Sequence, residues 1–489
     1  MKRFMSFFLT VAIALYSVCT SASATEDASL FNDVYEQDYF YDAVRWAVKD
    51  DVTGGVTQTL FKPADTCSRA QVVTFLWRAS GKPEPTDISN PFKDVKETDY
   101  FYKSVLWAVE KGITGGASAD LFAPSQRCTR AHALTFLWRA FGSPELENES
   151  SVAEQYSGQY FEKALQWADD NGLVWEDVGG FSPYSKCPRA DIVTYIYTVK
   201  GQSSNTHISS LNSWGQHIDR YFYMKLVGEY ANSYYTKSSA LKISSAAQLA
   251  AFASFSNSSP ARNFSGKYVV LMDDIDIGAY EWAPICKPQE RFDNGTAFYN
   301  GGGFMGTFDG DGYSVQNLQI NKPTKDILGL FGAINCGEVN NTSITGEISG
   351  DWNIGGIAAY NMNGKINNCD SGISVKGNGY CIGGIVGQNC GGRITGCAFS
   401  GKINGNRTSS GNIGGIAGWT GASGTIEQCI SCGTVCGYFR VGGIAGRLQS
   451  DGYITDCVCT SKVSGVRYYD IFVGMNDAGI DHISGCTIS

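Results

Sequence analysis

The stretch TCSRAQVVTFLWRA, from Thr66 to Ala79, indicates a repeat architecture in the first half of the chain because it recurs twice. The second copy is RCTRAHALTFLWRA at 127–140, and the third is KCPRADIVTYIYTV at 186–199. The copies lie 61 and 59 residues apart, a period that is typical of one supersecondary unit per repeat. Each copy holds an arginine at the same place: Arg69, Arg130 and Arg189.

Each repeat has the pattern of two helices joined by a loop. In the first repeat, apolar residues at 44–48 follow the 3.6-residue period, Gly54-Gly55 ends the helix, and LFKP leads to a second helix. Ser68 and Gln71 form the S-x-x-Q pattern of a capping box, which places Arg69 in the first turn of that second helix.

A cation in a first helical turn opposes the helix dipole and costs a few tenths to about 1 kcal/mol. One explanation is that the arginine fork, beside free helix N–H groups, clamps a carboxylate or phosphate. The other is that each arginine pairs with an acidic neighbour, such as Asp33 or Asp94, and joins helices. The residues alone leave both explanations open.

The three units resemble S-layer homology (SLH) domains. The first repeat has that family's F-x-D-V at 31–34, an aromatic residue at Tyr39, F-x-P at 61–63 and S-R-A-Q at 68–71. The second repeat has the same elements in the same order, whereas the third lacks F-x-D-V. The resemblance covers roughly residues 30–201 and predicts repeats at 30–84, 91–145 and 152–201.

This resemblance implies an all-α bundle of three repeats with pseudo-threefold symmetry, whose grooves bind an anionic secondary cell-wall polysaccharide that often carries pyruvate ketals. It implies glycan-binding roles for seven residues: Arg69, Arg130, Arg189, Asp33, Asp94, Tyr39 and Tyr100. The family's T-R-A-E glutamate is replaced by Gln71, His132 and Asp191, and the third repeat lacks G-I-x-x-G, which puts its groove in question. The mid-helix tryptophans are expected in the core rather than against sugars: Trp46, Trp107 and Trp167.

The second half is built from two glycine and cysteine phrases in phase. I/V-G-G-I begins at 354, 382, 413 and 441, at steps of 28, 31 and 28 residues. Ile-x-x-Cys recurs between these phrases and ends at Cys369, Cys397, Cys429, Cys457 and Cys486. Short strands at a fixed step of about 30 residues predict a parallel β-solenoid with stacked Ile and Cys ladders. An offset of three cannot place both residues inside one flat strand, so we expect a corner between them.

Residues 241–489 resemble the GLUG-type right-handed β-helix repeats of bacterial surface proteins. The amphipathic pattern at 243–255 is expected to form a helix that caps the first coil. Residues 202–240 have no clear period and are interpreted as a linker.

The start of the chain has the pattern of a secretory signal peptide at 1–24. Lys2 and Arg3 precede an apolar run at 7–18 and an Ala-Ser-Ala site at 22–24. No other stretch approaches the roughly 18 apolar residues of a membrane span. With 38 basic and 47 acidic residues, no basic block and a net charge of −9, nucleic acid is not an expected partner. The cysteines recur at equivalent repeat positions, which favours buried free thiols over disulfides.

The sequence lacks the zinc-protease motif H-E-x-x-H, because none of the four histidines is followed by Glu. Asp-Gly turns are favoured for Asp309 and Asp311, and no cofactor other than Ca²⁺ is considered. Ca²⁺ binding is the alternative for the densest acidic group of the chain: Asp273, Asp274, Asp276, Asp309 and Asp311. The sequence thus predicts a secreted, wall-anchored surface protein with an adhesive or structural β-helix whose ligand is unknown. The alternative is a wall-anchored glycan lyase or hydrolase with its site on the β-helix.

Overall fold

The computed structural model describes most of the chain and has two parts, a helical bundle followed by a parallel β-solenoid, as the sequence predicts. The predicted signal peptide lies outside the described residues, which are 31–86, 89–146, 150–174, 181–200, 213–230, 236–288, 290–293, 296–299 and 302–488. Among these residues, no helix combines the length and apolar character needed to cross a bilayer.

The bundle consists of a pair of longer helices per repeat, with one short helix before the third pair. The α-helices in chain order are α1 Tyr41–Lys49, α2 Arg69–Ala79, α3 Tyr102–Glu110, α4 Arg130–Ala140, α5 Ser151–Glu154, α6 Glu162–Asp170, α7 Arg189–Val199, α8 Arg220–Glu229 and α9 Ala246–Ser258. Short 3₁₀ turns cover Trp214–Gln216, Lys237–Ser239 and Ile480–His482. The predicted capping box of α2 is confirmed, since Ser68 and Gln71 bond each other's backbone N–H groups.

The three repeats close into a ring around a pseudo-threefold axis. The N–H of Cys67 donates to the carbonyl of Cys187 at 3.3 Å, that of Cys128 to Cys67 at 2.9 Å, and that of Cys187 to Cys128 at 3.0 Å. The three cysteines have no exposed surface. A small side chain is needed at each of these positions because three segments of backbone meet at one point. Burial raises the pKa of the Cys67 and Cys128 thiols to about 12.

The solenoid stacks its coils into parallel sheets. The first described sheet contains nine strands: Leu241–Ile243, Tyr268–Leu271, Thr307–Asp309, Glu338–Asn340, Lys365–Asn367, Arg393–Thr395, Thr425–Glu427, Tyr453–Thr455 and Ile483–Ser484. The second contains twelve: Ile275–Asp276, Ser314–Asn321, Ser343–Gly350, Asp370–Ser371, Ser374–Gly377, Ala398–Phe399, Lys402–Gly405, Ile430–Ser431, Thr434–Cys436, Val458–Cys459, Lys462–Ser464 and Thr487–Ile488.

Two further sheets contain the glycine phrases, and a hairpin lies beside them. One sheet has the strands Ile354–Gly355, Tyr380–Gly383, Gly411–Gly414, Phe439–Gly442 and Arg467–Asp470. The other has Phe331–Asn335, Ala358–Met362, Val386–Cys390, Ala417–Gly421, Ala445–Leu448 and Val473–Asn476. The hairpin pairs Glu290–Asp293 with Thr296–Tyr299 in antiparallel fashion.

The predicted corner between Ile and Cys of each coil is confirmed. Ile366 and Cys369 are both buried, and Asn368 between them has φ +52°, a left-handed conformation that turns the chain. Asp456 does the same one residue before Cys457, with φ +54°. Asn and Asp tolerate this conformation because their short side chains bond locally. The fifteen cysteines that follow residue 30 all have free thiols.

Helix α9 covers the first coil, as expected of a cap. The ring of Phe252 lies 4.6 Å from that of Phe264 and 6.2 Å from that of Phe304, and all three side chains are fully buried. The segment interpreted as a linker differs from expectation, because α8 lies within it and packs against α9. The domain boundaries themselves stay predictions.

Candidate functional site

Arg69 extends from the first repeat into the second. Its Nε donates to the carbonyl oxygen of Phe122 at 2.9 Å and its Nη2 to Oγ1 of Thr114 at 3.2 Å. The guanidinium lies between the rings of Phe122 and Phe136, 5.1 Å from each centroid. The side chain is 5% exposed, and burial lowers its pKa from the ordinary value.

Arg189 repeats this geometry between the third repeat and the first. Its Nε donates to the carbonyl of Phe61 at 3.0 Å, its Nη2 donates to Thr53 Oγ1 at 3.2 Å, and Phe75 supplies one of two flanking rings at 5.0 Å. Within the described part of the chain, neither Arg69 nor Arg189 has a carboxylate oxygen within 4.0 Å. A buried cation without a carboxylate is costly.

A groove of about 310 Å³ opens beside Arg69 at the meeting of all three repeats. Its lining combines cations, hydroxyls and backbone, which is the composition of a site for a polar, acidic ligand. The lining residues that matter below are Thr114, Gly115, Gly116, His132, Arg139 and Tyr160.

Gly116 fixes the loop that forms one wall of this groove. It has φ +94°, and a Cβ there would lie 2.5 Å from the Phe92 ring and 2.6 Å from the carbonyl oxygen of Ser118. Gly55 is in the same position in the first repeat, with φ +85° and a Cβ that would lie 2.5 Å from Phe31. Only glycine fits such a crowded left-handed position. The corresponding loop of the third repeat lies outside the described residues.

Asp33 and Asp94 bond to backbone rather than to the arginines. The two carboxylate oxygens of Asp33 accept the N–H groups of Phe61 and Lys62, at 2.9 and 2.7 Å. Those of Asp94 accept the corresponding pair in the second repeat, both at 2.8 Å. Asp33 and Asp94 are therefore not the acidic partners of the arginines, whereas pairing with an acidic neighbour does occur at Arg130, whose Nη2 lies 3.3 Å from Asp191. Asp33 and Asp94 hold the F-x-P loops whose carbonyls receive Arg189 and Arg69.

The predicted tyrosines have different surroundings in the different repeats. Tyr100 is 65% exposed, and its third-repeat counterpart Tyr160, which sequence reasoning missed, is 56% exposed and lines the groove. Tyr39 instead donates its hydroxyl to Asp191 at 2.6 Å. The repeat alignment contained the signal for Tyr160, because YF stands before the first helix of every repeat.

The third arginine lies in a closed groove. Arg130 Nη2 is 3.3 Å from Asp191 Oδ2, and the two side chains are 1% and 0% exposed. Asp191 stands where the first two repeats have Gln71 and His132, so this groove contains its own carboxylate. Burial raises the pKa of Asp191, while the nearby Arg130 opposes that rise.

The remaining predicted residues lie in the core or in turns. The three repeat tryptophans are buried, as expected. Asp274 accepts the N–H and hydroxyl of Ser314 at 2.8 Å, and Asp309 accepts Asn341 Nδ2 at 3.0 Å and the Asp311 N–H at 2.9 Å. The described residues contain no group of three or more potential metal-binding side chains. These contacts fit the Asp-Gly turn interpretation.

Charged side chains on the nine-stranded sheet are ion-paired along the stack. Lys365 lies 2.6 Å from Glu338, and Arg393 lies 2.5 Å from Glu427. Both pairs are partly exposed; Lys365 and Glu338 are directly aligned on neighbouring coils, whereas Glu427 lies two residues further along its strand than Thr425, the partner of Arg393. A glycan lyase or hydrolase with its site on the solenoid would need acidic and basic side chains of this kind. In the structure, Glu338 and Glu427 each already pair with a cation.

Comparison with known proteins identifies the class to which these two parts belong. Residues 30–73 and 91–134 match the S-layer homology domain, and residues 378–404 match the GLUG motif. The chain thus contains S-layer homology domains ahead of a parallel β-solenoid with a GLUG motif.

The curated proteins that the chain matches are much longer than the matched region. The chain is similar to an endoglucanase of Bacillus sp. (strain KSM-635), at 31% identity over 30% of this chain and 15% of that protein. It is also similar to the surface-layer 125 kDa protein of Lysinibacillus sphaericus (33% identity, 31% and 12%) and a cell surface protein of Thermoanaerobacter kivui (25% identity, 30% and 19%). The chain therefore spans less than a fifth of the length of these relatives. The domains and these relatives indicate surface anchoring at the cell wall.

Proposed function

We propose that the helical bundle anchors this protein non-covalently to an anionic secondary cell-wall polysaccharide, and that the glycan's acidic groups bind at Arg69 and Arg189. The observation that carries the proposal is the pair of buried guanidinium groups that have no carboxylate partner among the described residues, each beside a glycine loop. An acidic substituent of the glycan, such as a pyruvate ketal, supplies the missing negative charge.

The exposed aromatic rings beside these arginines complete each groove. Tyr160 lines the groove beside Arg69, and Tyr100, at the same position of the second repeat, is 65% exposed and is proposed to have the same role beside Arg189. A tyrosine offers an apolar face and a hydroxyl to a sugar ring. The glycan-binding roles of Asp33 and Asp94 become indirect in this proposal, because both hold the loops that orient the arginines.

Co-sedimentation with cell-wall sacculi tests the proposal. The protein from residue 25 onward is incubated with intact sacculi and with sacculi stripped of secondary polysaccharide. Arg69→Lys/Arg189→Lys keeps both charges but removes the fork, and Tyr100→Ala/Tyr160→Ala changes only exposed rings. We expect each pair to weaken binding at least tenfold, whereas Arg45→Ala, on the exposed face of α1, binds like the wild type. Equal binding to stripped sacculi, or by both variants, would contradict the proposal.

For the solenoid we propose an adhesive or structural role. The second candidate, a wall-anchored glycan lyase or hydrolase, is favoured by two relatives with the names endoglucanase and amylopullulanase. Release of reducing ends from purified wall glycans by the wild type, and its loss in Glu338→Gln/Glu427→Gln, would favour the enzyme. No release under conditions in which the anchor binds would favour the adhesive role.

A further inference from the structure

The third groove differs from the other two because the chain itself fills it. Asp191 accepts hydrogen bonds from Tyr39 at 2.6 Å and from Arg130 at 3.3 Å, and it has no exposed surface. Arg130 therefore already has the anion that Arg69 and Arg189 lack.

Helix α8 covers this groove from outside. Its first residue, Arg220, places its guanidinium 5.0 Å from the centre of the Tyr39 ring, and the Tyr221 ring lies 5.5 Å from Arg130. The positive charge of Arg220, like that of Arg130, opposes the rise that burial causes in the pKa of Asp191. Asp191 thus bonds Tyr39 and Arg130 at the junction of three repeats, and α8 adds Arg220 over the Tyr39 ring and Tyr221 over Arg130.

The opposite side of α8 is held by the solenoid cap. The N–H of Asp219, which caps α8, donates to the carbonyl of Ala247 in α9 at 3.0 Å. One turn further on, Tyr223 donates its hydroxyl to Asp38 of the first repeat at 2.7 Å. Arg262, just after α9, also donates to Asp38, at 2.6 Å. Helix α8 therefore contacts the bundle and the cap at the same time.

We infer that the third groove is not a glycan site but the seat on which the bundle holds the solenoid, so that the anchor binds two acidic glycan groups per chain rather than three. The number of two bound glycan groups rests on the proposed function, whereas the inference that α8 is seated on the third groove does not. Since the wall-binding grooves and the seat belong to one closed ring, the solenoid leaves the anchor in one fixed direction.

Hydrogen–deuterium exchange of the full chain tests the seat without any ligand. Arg220→Ser/Tyr221→Ser removes the two side chains that cover the groove, and Lys225→Ser, on the exposed side of α8, is the matched control. We expect at least tenfold faster exchange in α8 and in the first turn of α7 for the double variant only. Unchanged exchange would overturn the seat.

The number of glycan probes bound per chain tests the inference that the anchor binds two acidic glycan groups rather than three. The probe is a methyl glycoside of an N-acetylhexosamine with a pyruvate ketal, titrated by native mass spectrometry. We expect two probes per wild-type chain and a third in Asp191→Gln/Arg220→Ser/Tyr221→Ser, which gives the third groove the glutamine of the first. Three probes on the wild type would overturn the inference. No probe on the wild type with the expected exchange result would contradict the proposed function alone and leave the seat standing.

Discussion

Asp38 is expected to be the residue whose loss most weakens the joint between bundle and solenoid. Its carboxylate is fully buried and accepts the Tyr35 N–H at 2.9 Å, the Tyr223 hydroxyl at 2.7 Å and Arg262 at 2.6 Å. Arg262 is itself buried between the rings of Tyr35 and Phe255, 4.4 and 4.2 Å from their centroids. Asp38→Ala therefore leaves a buried guanidinium without its carboxylate.

Removal of one partner from a buried ion pair costs about 3–5 kcal/mol, because the remaining charge stays desolvated. The three contacts to Asp38 argue for the upper half of that range, since two neutral donors also lose their acceptor. The double variant Asp38→Ala/Arg262→Met should recover much of the loss because no buried charge remains.

Urea unfolding followed by tryptophan fluorescence measures these free energies. The control is Glu84→Ala, which removes an exposed ion pair with Lys103 and is expected to leave the transition unchanged. A loss below about 1 kcal/mol for Asp38→Ala, or a double variant less stable than the single one, would refute the reasoning.

Three further outcomes are expected. Burial and Arg69 lower the pKa of His132, so the groove beside Arg69 gains a positive charge only when the pH falls below the usual histidine range. Binding of the pyruvylated probe should therefore tighten at that lower pH, and His132→Gln should abolish this pH dependence. Gly116→Ala should destabilise the bundle by about 1–3 kcal/mol in urea unfolding, whereas Gly115→Ala, where nothing lies within 4 Å, should be neutral. Iodoacetamide should label native protein mainly at Cys336 and Cys432, the exposed thiols, and mass spectrometry should find the other thiols modified only after unfolding.

The sequence predicted the repeats well because each signal is local. The capping pattern of Ser68 and Gln71 placed Arg69 in a first helical turn, which the structure confirms. The Ile-x-x-Cys offset predicted a corner, which the left-handed Asn368 provides. Both inferences depend on atoms only a few residues apart, where chain geometry leaves few solutions.

The contacts of the arginines could not be predicted in the same way. Arg69 bonds to residues 45 and 53 positions away, and Arg189 to residues 128 and 136 positions away. Such contacts depend on how the repeats close into a ring. The residues of α8 show no clear period in the sequence, and the structure gives the reason: one side of this helix packs on the bundle and another on α9. A helix buried on two sides lacks the polar–apolar period by which helices are recognised.

The ring of cysteine carbonyls and the stack of coils have opposite consequences for how the two parts can change in length. In the ring each repeat donates to one neighbour and accepts from the other, so loss of one repeat would leave two open ends and gain of one would have no place to bond. The solenoid has no such closure, because each coil repeats the bonds of the one before it. Insertion of one coil would extend it by about 4.8 Å and leave the anchor untouched. The number of repeats in the bundle is thus fixed at three, whereas the length of the solenoid can change by one coil at a time.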